Sequence, residues 1–131
     1  MPIRVLIVDD DPGFLEYLRT ALADSPAIEV IGSAADGIEA LRQVEKLAPE
    51  VVTMDLDMPR LDGVEAARII LERHAGTMVV MVSGSENHAE WLGLEETGAH
   101  DFVRKSRVGD EIEEAILAAA SQHRPLRLIH V

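Results

Sequence analysis

The chain contains no cysteine. Disulfide frameworks, thiolate metal sites and cysteine nucleophiles are therefore excluded. Basic residues are scarce, 12 Lys and Arg against 24 Asp and Glu, for a formal net charge of −12. Duplex DNA is held mainly by neutralising its phosphates with Lys and Arg, so no direct nucleic-acid contact is expected. The acidity favours metal ions or basic protein surfaces as partners instead. Long hydrophobic runs are missing too: nothing approaches the roughly 20 apolar residues that cross a bilayer. The N-terminal Met1-Pro2-Ile3-Arg4 has neither the charged nor the apolar region of a secretory signal. A cytoplasmic protein without membrane insertion is the expectation. No internal repeat, low-complexity tract or linker interrupts the chain.

What is present suffices for one domain. With 131 residues, 47% of them apolar, a single buried core can form. Apolar runs at Ile3–Val8, Ile28–Ile31, Val51–Met54 and Met78–Val82, with a shorter one at His100–Val103, read as strands. Between them lie helical patterns. Asp11-Pro12 opens the first, whose inner face is Phe14, Leu15, Leu18, Ala21 and Leu22; Asp36-Gly37 opens the second, with Ile38, Leu41, Val44 and Leu47 inward. Asp62 with Glu65 forms a capping-box pattern for the third. A fourth is expected from about Glu86 to Thr97 and a fifth from about Asp110 to His123. Five strand-helix units with strands too apolar for a wet face predict an α/β fold, a parallel sheet with helices on both sides. The domain is expected to cover residues 1–123. The tail, 124–131, holds Leu126, Leu128, Ile129 and Val131, and is expected to pack back on the domain, with pairing to a second chain as a strand the alternative. A stand-alone domain is the expectation, beside the alternative of an N-terminal domain excised from a longer protein.

The side chains at the strand ends carry chemistry. The first strand ends on Asp9 and Asp10, the third on Asp55, the fourth on Ser83 and the fifth on Lys105. In an open parallel sheet these ends share one edge, where ligands collect. Two like charges 4 Å apart repel by roughly 4 kcal/mol at an effective dielectric near 20, so three carboxylates call for a cation. Oxygen ligands without His or Cys suit Mg²⁺, with Mn²⁺ or Ca²⁺ less favoured. A metal beside a carboxylate, a hydroxyl and a lysine fits phosphoryl transfer, and a carboxylate can itself be the nucleophile. Asp55, single and central, is the natural acceptor. Asp11 is read as a helix cap rather than a ligand.

Four pieces in this order, Val8-Asp9-Asp10, Asp55-Leu56-Asp57-Met58-Pro59-Arg60-Leu61-Asp62-Gly63, Val82-Ser83-Gly84 and Gly98-Ala99-His100-Asp101-Phe102-Val103-Arg104-Lys105, give the chain a close resemblance to the receiver domain of bacterial two-component response regulators. The resemblance implies a doubly wound, flavodoxin-like (βα)5 sheet. It implies phosphorylation of Asp55 by a sensor histidine kinase or a histidine phosphotransfer protein, in a domain that promotes its own phosphorylation and dephosphorylation. Asp10 and Asp55 would ligate Mg²⁺, Asp9 would help through water, and the Asp57 main-chain carbonyl would complete the set. Ser83 and Lys105 would contact the phosphoryl group, and Phe102 holds the family's switch position. Output would pass through the fourth helix, fifth strand and fifth helix to a downstream protein, a surface open to homodimer contact through Trp91 and Leu94. Ser106 stands where the family usually has proline, which leaves the isomer of the Lys105–Ser106 bond open. Asp57 and Ser85 line the approach of hydrolytic water, with Ser85 equally suited to cap the fourth helix. Two alternatives stand beside this reading: a haloacid-dehalogenase-like phosphatase using Asp55-Leu56-Asp57, and a degenerate receiver that only binds.

Overall fold

Successive residues of the first strand serve two different cores. In β1 (Ile3–Val8), Val5 and Ile7 pack into one apolar cluster, and Leu6 and Val8 into another on the opposite face. A strand buried on both faces belongs in a parallel sheet covered twice. A computed structural model, which describes residues 1–56, 58, 60–84 and 97–123, shows that sheet. Its strands β1, β2 (Ile28–Ala34), β3 (Val51–Asp55), β4 (Met78–Ser83) and β5 (Asp101–Arg104) are all parallel, in the order β2-β1-β3-β4-β5. Helix α1 (Pro12–Ala23) and the last helix, α4 (Val108–His123), cover one face, with Leu18, Leu22, Ile112 and Ile116 inward. Helices α2 (Gly37–Leu47) and α3 (Gly63–Arg73) cover the other with Val44, Ala67 and Ile70. The expected doubly wound sheet is thus the observed one. The chain leaves β1 toward β2 and then crosses to β3 on the other side, which opens a crevice at the C-terminal ends of β1 and β3.

Loops leaving that edge enter their helices through aspartates. Asp11 accepts from the Gly13 amide at 2.9 Å, Asp36 from Glu39 at 2.8 Å and Asp62 from Glu65 at 2.9 Å. Each cap is worth about 0.5–2 kcal/mol over alanine. At the far edge Arg4, the one charge inside β1, closes the end of α2. Its guanidinium donates to the Leu47 and Ala48 carbonyls at 2.7 and 2.8 Å. Ala48 is in the left-handed region with φ 48°, a conformation that costs a residue with a Cβ roughly 1–2 kcal/mol. The two charge-assisted bonds offset that strain.

Four local expectations change. β2 runs on to Ala34 although its apolar stretch stops at Ile31, because Leu6, Ile7 and Val8 offer open ladder positions to Gly32, Ser33 and Ala34. The register shifts between Val5 and Leu6 to admit the extra residue. β5 starts at Asp101 rather than His100, and a 3₁₀ turn (Lys105–Arg107) runs directly into α4, which begins at Val108 rather than Asp110. Ala21 is exposed, since Leu18 and Leu22 already fill the space under α1. The helix expected over 86–97 with Trp91 and Leu94, together with Ser85, Asp57, Pro59 and the tail 124–131, lies outside the described residues apart from Thr97.

Candidate functional site

Strand β1 delivers Asp9 to the crevice with 1% of its surface exposed, while Asp10 beside it faces solvent. The Asp11 amide donates to Asp9 Oδ1 at 2.8 Å, which fixes the carboxylate over the turn. Asp55 is the last residue of β3 and is 5% exposed. Carboxylate oxygens from Asp9, Asp10 and Asp55 lie within 4.8 Å of one another. Lys105, first residue of the 3₁₀ turn after β5, extends across the crevice. Its Nζ lies 2.8 Å from Asp9 Oδ2 and 3.6 Å from Asp55 Oδ1. The Lys105–Ser106 peptide bond is trans.

The charges do not balance. Three carboxylates meet one ammonium where Asp9 and Asp55 are shielded from water. Burial pushes the Asp55 carboxyl up from its ordinary 3.8 to about 7; the charges of Asp9 and Asp10 add to the rise, and Lys105 opposes it. Burial alone would lower the Lys105 ammonium, but hydrogen bonding and charge from Asp9 and Asp55 outweigh it and hold the ammonium above its usual range. Asp9 Oδ2 is buried, with the Lys105 ammonium 2.8 Å away. An all-oxygen set with surplus negative charge fits a hard divalent cation.

Glycines let the backbone close in around this site. A Cβ on Gly63 would overlap the Asp55 carbonyl oxygen, and one on Gly37 would overlap that of Leu61. The starts of α2 and α3 therefore seat directly on the segment that follows β3. Arg60, in the left-handed region with φ 72°, carries its guanidinium to Asp36 Oδ2 at 3.3 Å and ties the same segment to the cap of α2.

Of the residues expected at the site, Asp9, Asp10, Asp55 and Lys105 come together. Ser83 is the last residue of β4, 2% exposed, and follows the residue paired with Asp55 in the sheet register. Phe102 is half-buried in β5 and packs on the apolar cluster beneath α2 and α3. The carbonyl of Asp57 belongs to a residue outside the described set. One participant escapes the sequence reading: the Lys105 ammonium sits 4.5 Å above the centre of the Phe14 ring. Only the nearness of Phe14 to Asp10 along the chain could have signalled it.

A family model for the response regulator receiver domain matches residues 5–117. The chain is 40% identical over 135 residues to protein-glutamate methylesterase/protein-glutamine glutaminase 2 of Koribacter versatilis, covering 95% of this chain and 37% of that protein. Such curated relatives are much longer, and the chain spans about a third of their length. It is 35% identical to the response regulator domain of Thermotoga maritima CheB, with a TM-score of 0.84 over 92% of this chain and 98% of that one. A chain of the CheX-CheY-BeF3-Mg²⁺ complex of Borrelia burgdorferi is 27% identical, with a TM-score of 0.82 over 90% and 89% of the two chains. An acidic crevice at the C-terminal edge of a β2-β1-β3-β4-β5 parallel sheet agrees with these likenesses, and the chain belongs to the response regulator receiver domain family.

Proposed function

We propose that Asp55 accepts a phosphoryl group, with Mg²⁺, from the phosphohistidine of a sensor kinase or phosphotransfer protein. The observation that carries this is the Lys105 ammonium shared between Asp9 and Asp55 at the mouth of a three-carboxylate cluster. An oxygen of Asp55 forms the new bond to phosphorus, the phosphorus–nitrogen bond of the donor breaks, and its electron pair leaves with the imidazole. Lys105 keeps its proton and neutralises a phosphoryl oxygen, and the Ser83 hydroxyl donates to another. Asp10 and Asp55, with Asp9 behind them and the Asp57 carbonyl, would hold the cation. Bound there, Mg²⁺ supplies charge neutralisation to the phosphoryl oxygens. The Mg²⁺ in the Borrelia complex supports that choice of metal, and the oxygen donor set suits Mn²⁺ as well.

The domain acts as a switch that promotes its own phosphorylation and dephosphorylation. Phosphorylation adds about −1.5 to −2 charges, and Phe102 and Ser83 relay the change. Its output surface comprises β5, α4 and the helix expected over 86–97. A groove between β5 and α4, floored by Phe102, Val103 and Ala115 and edged by Asp101, Glu111 and Glu114, supports a protein partner there; a homodimer would use the same surface. The domain is assigned residues 1–123, with 124–131 as its tail. The chain spans about a third of the length of relatives named for methylesterase and glutaminase activity, and neither activity is proposed for it. No described helix is long and apolar enough to cross a membrane.

The phosphatase alternative fails on placement, because its aspartate motif should follow the first strand and Asp55 closes β3. A binding-only receiver has no support from a site where Asp9, Asp10, Asp55 and Lys105 all meet. Incubation with Mg²⁺ and acetyl phosphate, followed by intact mass, tests the proposal. The wild-type chain should gain one phosphoryl group and Asp55→Asn none. Equal gain by both, or gain by neither, would sink it.

A further inference from the structure

The Lys105 ammonium has three neighbours rather than two. Asp9 and Asp55 take it from below at 2.8 and 3.6 Å, and the face of Phe14 lies 4.5 Å away. The stem of Lys105 crosses Gly84, whose bare Cα would leave an added Cβ 3.8 Å from the lysine Cδ. The side chain keeps 25% of its surface exposed, so water competes for the ammonium. Phe14 is itself braced. Its ring lies 6.0 Å from that of Tyr17, centre to centre and tilted by 35°, and a Cβ at Gly109 would come within 3.0 Å of the Tyr17 hydroxyl. An aromatic pair on one side of α1 thus leans on the start of α4 and presents a ring face to the lysine.

From this geometry we infer that Phe14 is a positioning residue for phosphoryl transfer, holding the Lys105 ammonium over the acceptor by a cation–π contact. The inference rests on Lys105 serving Asp55 as proposed above. A ring face attracts a cation through its quadrupole, more strongly as water is excluded. Electrostatic help to a transition state works best when the charge is already in place and need not be ordered during the reaction. Nothing in the local sequence demands an aromatic here: the position lies on the inner stripe of α1, which an aliphatic residue would fill equally well. The ring is needed for the charge opposite it, not for the helix.

Fluorination separates charge from shape. In full-length protein, Phe14 is replaced by 4-fluoro-, 3,5-difluoro- and 3,4,5-trifluorophenylalanine, which keep the ring's outline and progressively weaken its quadrupole. The second-order rate of phosphorylation by acetyl phosphate with Mg²⁺ should fall stepwise, by about two- to tenfold across the series. Phe14→Tyr should stay near wild type, and Phe14→Leu should fall to the bottom of the series. In NMR spectra the Lys105 side-chain methylene protons should be shifted upfield by the ring and return to ordinary positions in Phe14→Leu. A flat or rising series in protein that phosphorylates at the wild-type rate overturns the inference and leaves Asp55 as acceptor untouched. If wild type gains no phosphoryl group at all, the underlying reading fails and this one with it. Should Phe14→Leu fail to fold, the near-isosteric fluorinated series still decides.

Discussion

Asp55 works against its surroundings. It lies 5% exposed between two other carboxylates, and its carboxyl holds a proton up to about pH 7. Such a position is unfavourable for folding and useful for chemistry, which is typical of sites that bind ions or reacting groups. The consequence is a pH dependence in metal-free protein. Over the window from its ordinary 3.8 to about 7 the folded carboxyl is protonated and the unfolded one is not. Stability therefore declines as pH rises through that window and loses nothing more from this group above it. Urea unfolding in EDTA should show a loss on the order of 2–4 kcal/mol between pH 4 and pH 8 attributable to Asp55. Asp55→Asn should remove that part of the slope, and an unchanged slope in the variant would disprove the assignment.

Elements are held at the site by backbone contact as much as by side chains. α3 begins on Gly63 because only a residue without Cβ lets the helix start rest on the Asp55 carbonyl, and Gly37 does the same for α2 against Leu61. Asp62 then caps α3 and Asp36 caps α2, while Arg60 bridges to Asp36. That bridge is part-exposed, with side-chain exposures of 56% and 12%, and contributes at most about 1 kcal/mol; the glycines matter more. Gly63→Ala should push α3 off the end of β3 and cost about 3 kcal/mol or more, since the obstacle is backbone and cannot rotate away. Chemical denaturation measures the loss, and the acetyl phosphate rate should drop with it. A variant of wild-type stability would show that α3 can shift freely. The caps were legible in the sequence because each Asp sits a few residues from the amide it meets. The glycine seats were not, because Leu61 and Asp55 reach them only after the helices pack.

At the scale of the whole molecule, an acidic chain gathers three of its acids at one edge of the sheet. Its net charge of −12 is spread widely, but only Asp9, Asp10 and Asp55 form a candidate ion-binding group among the described residues. Binding to the folded state alone stabilises it by about 2.7 kcal/mol at a hundredfold excess over Kd. Mg²⁺ should therefore raise the melting temperature in a saturable way, and NaCl at equal ionic strength should not reproduce it. Asp10→Asn should lose most of the effect, while a variant of an acid at the opposite ends of the strands such as Glu29→Gln should keep it. If NaCl matches Mg²⁺, the gain is general screening rather than a site.

The sequence by itself determined the strands, the capped helix starts and the row of reactive residues at the strand ends. Each depends on periodicity or on hydrogen bonds within a few residues, and β1, α1 and α2 appear where the pattern puts them. Only the tertiary structure decided which acid is buried, how far β2 extends and what meets Lys105. Strand order brings β1, β3 and β5 to one edge. There Asp9, at one end of the chain, takes the ammonium of a lysine near the other, under a ring from α1. Contacts between residues so far apart are fixed by register and packing, which no local pattern encodes.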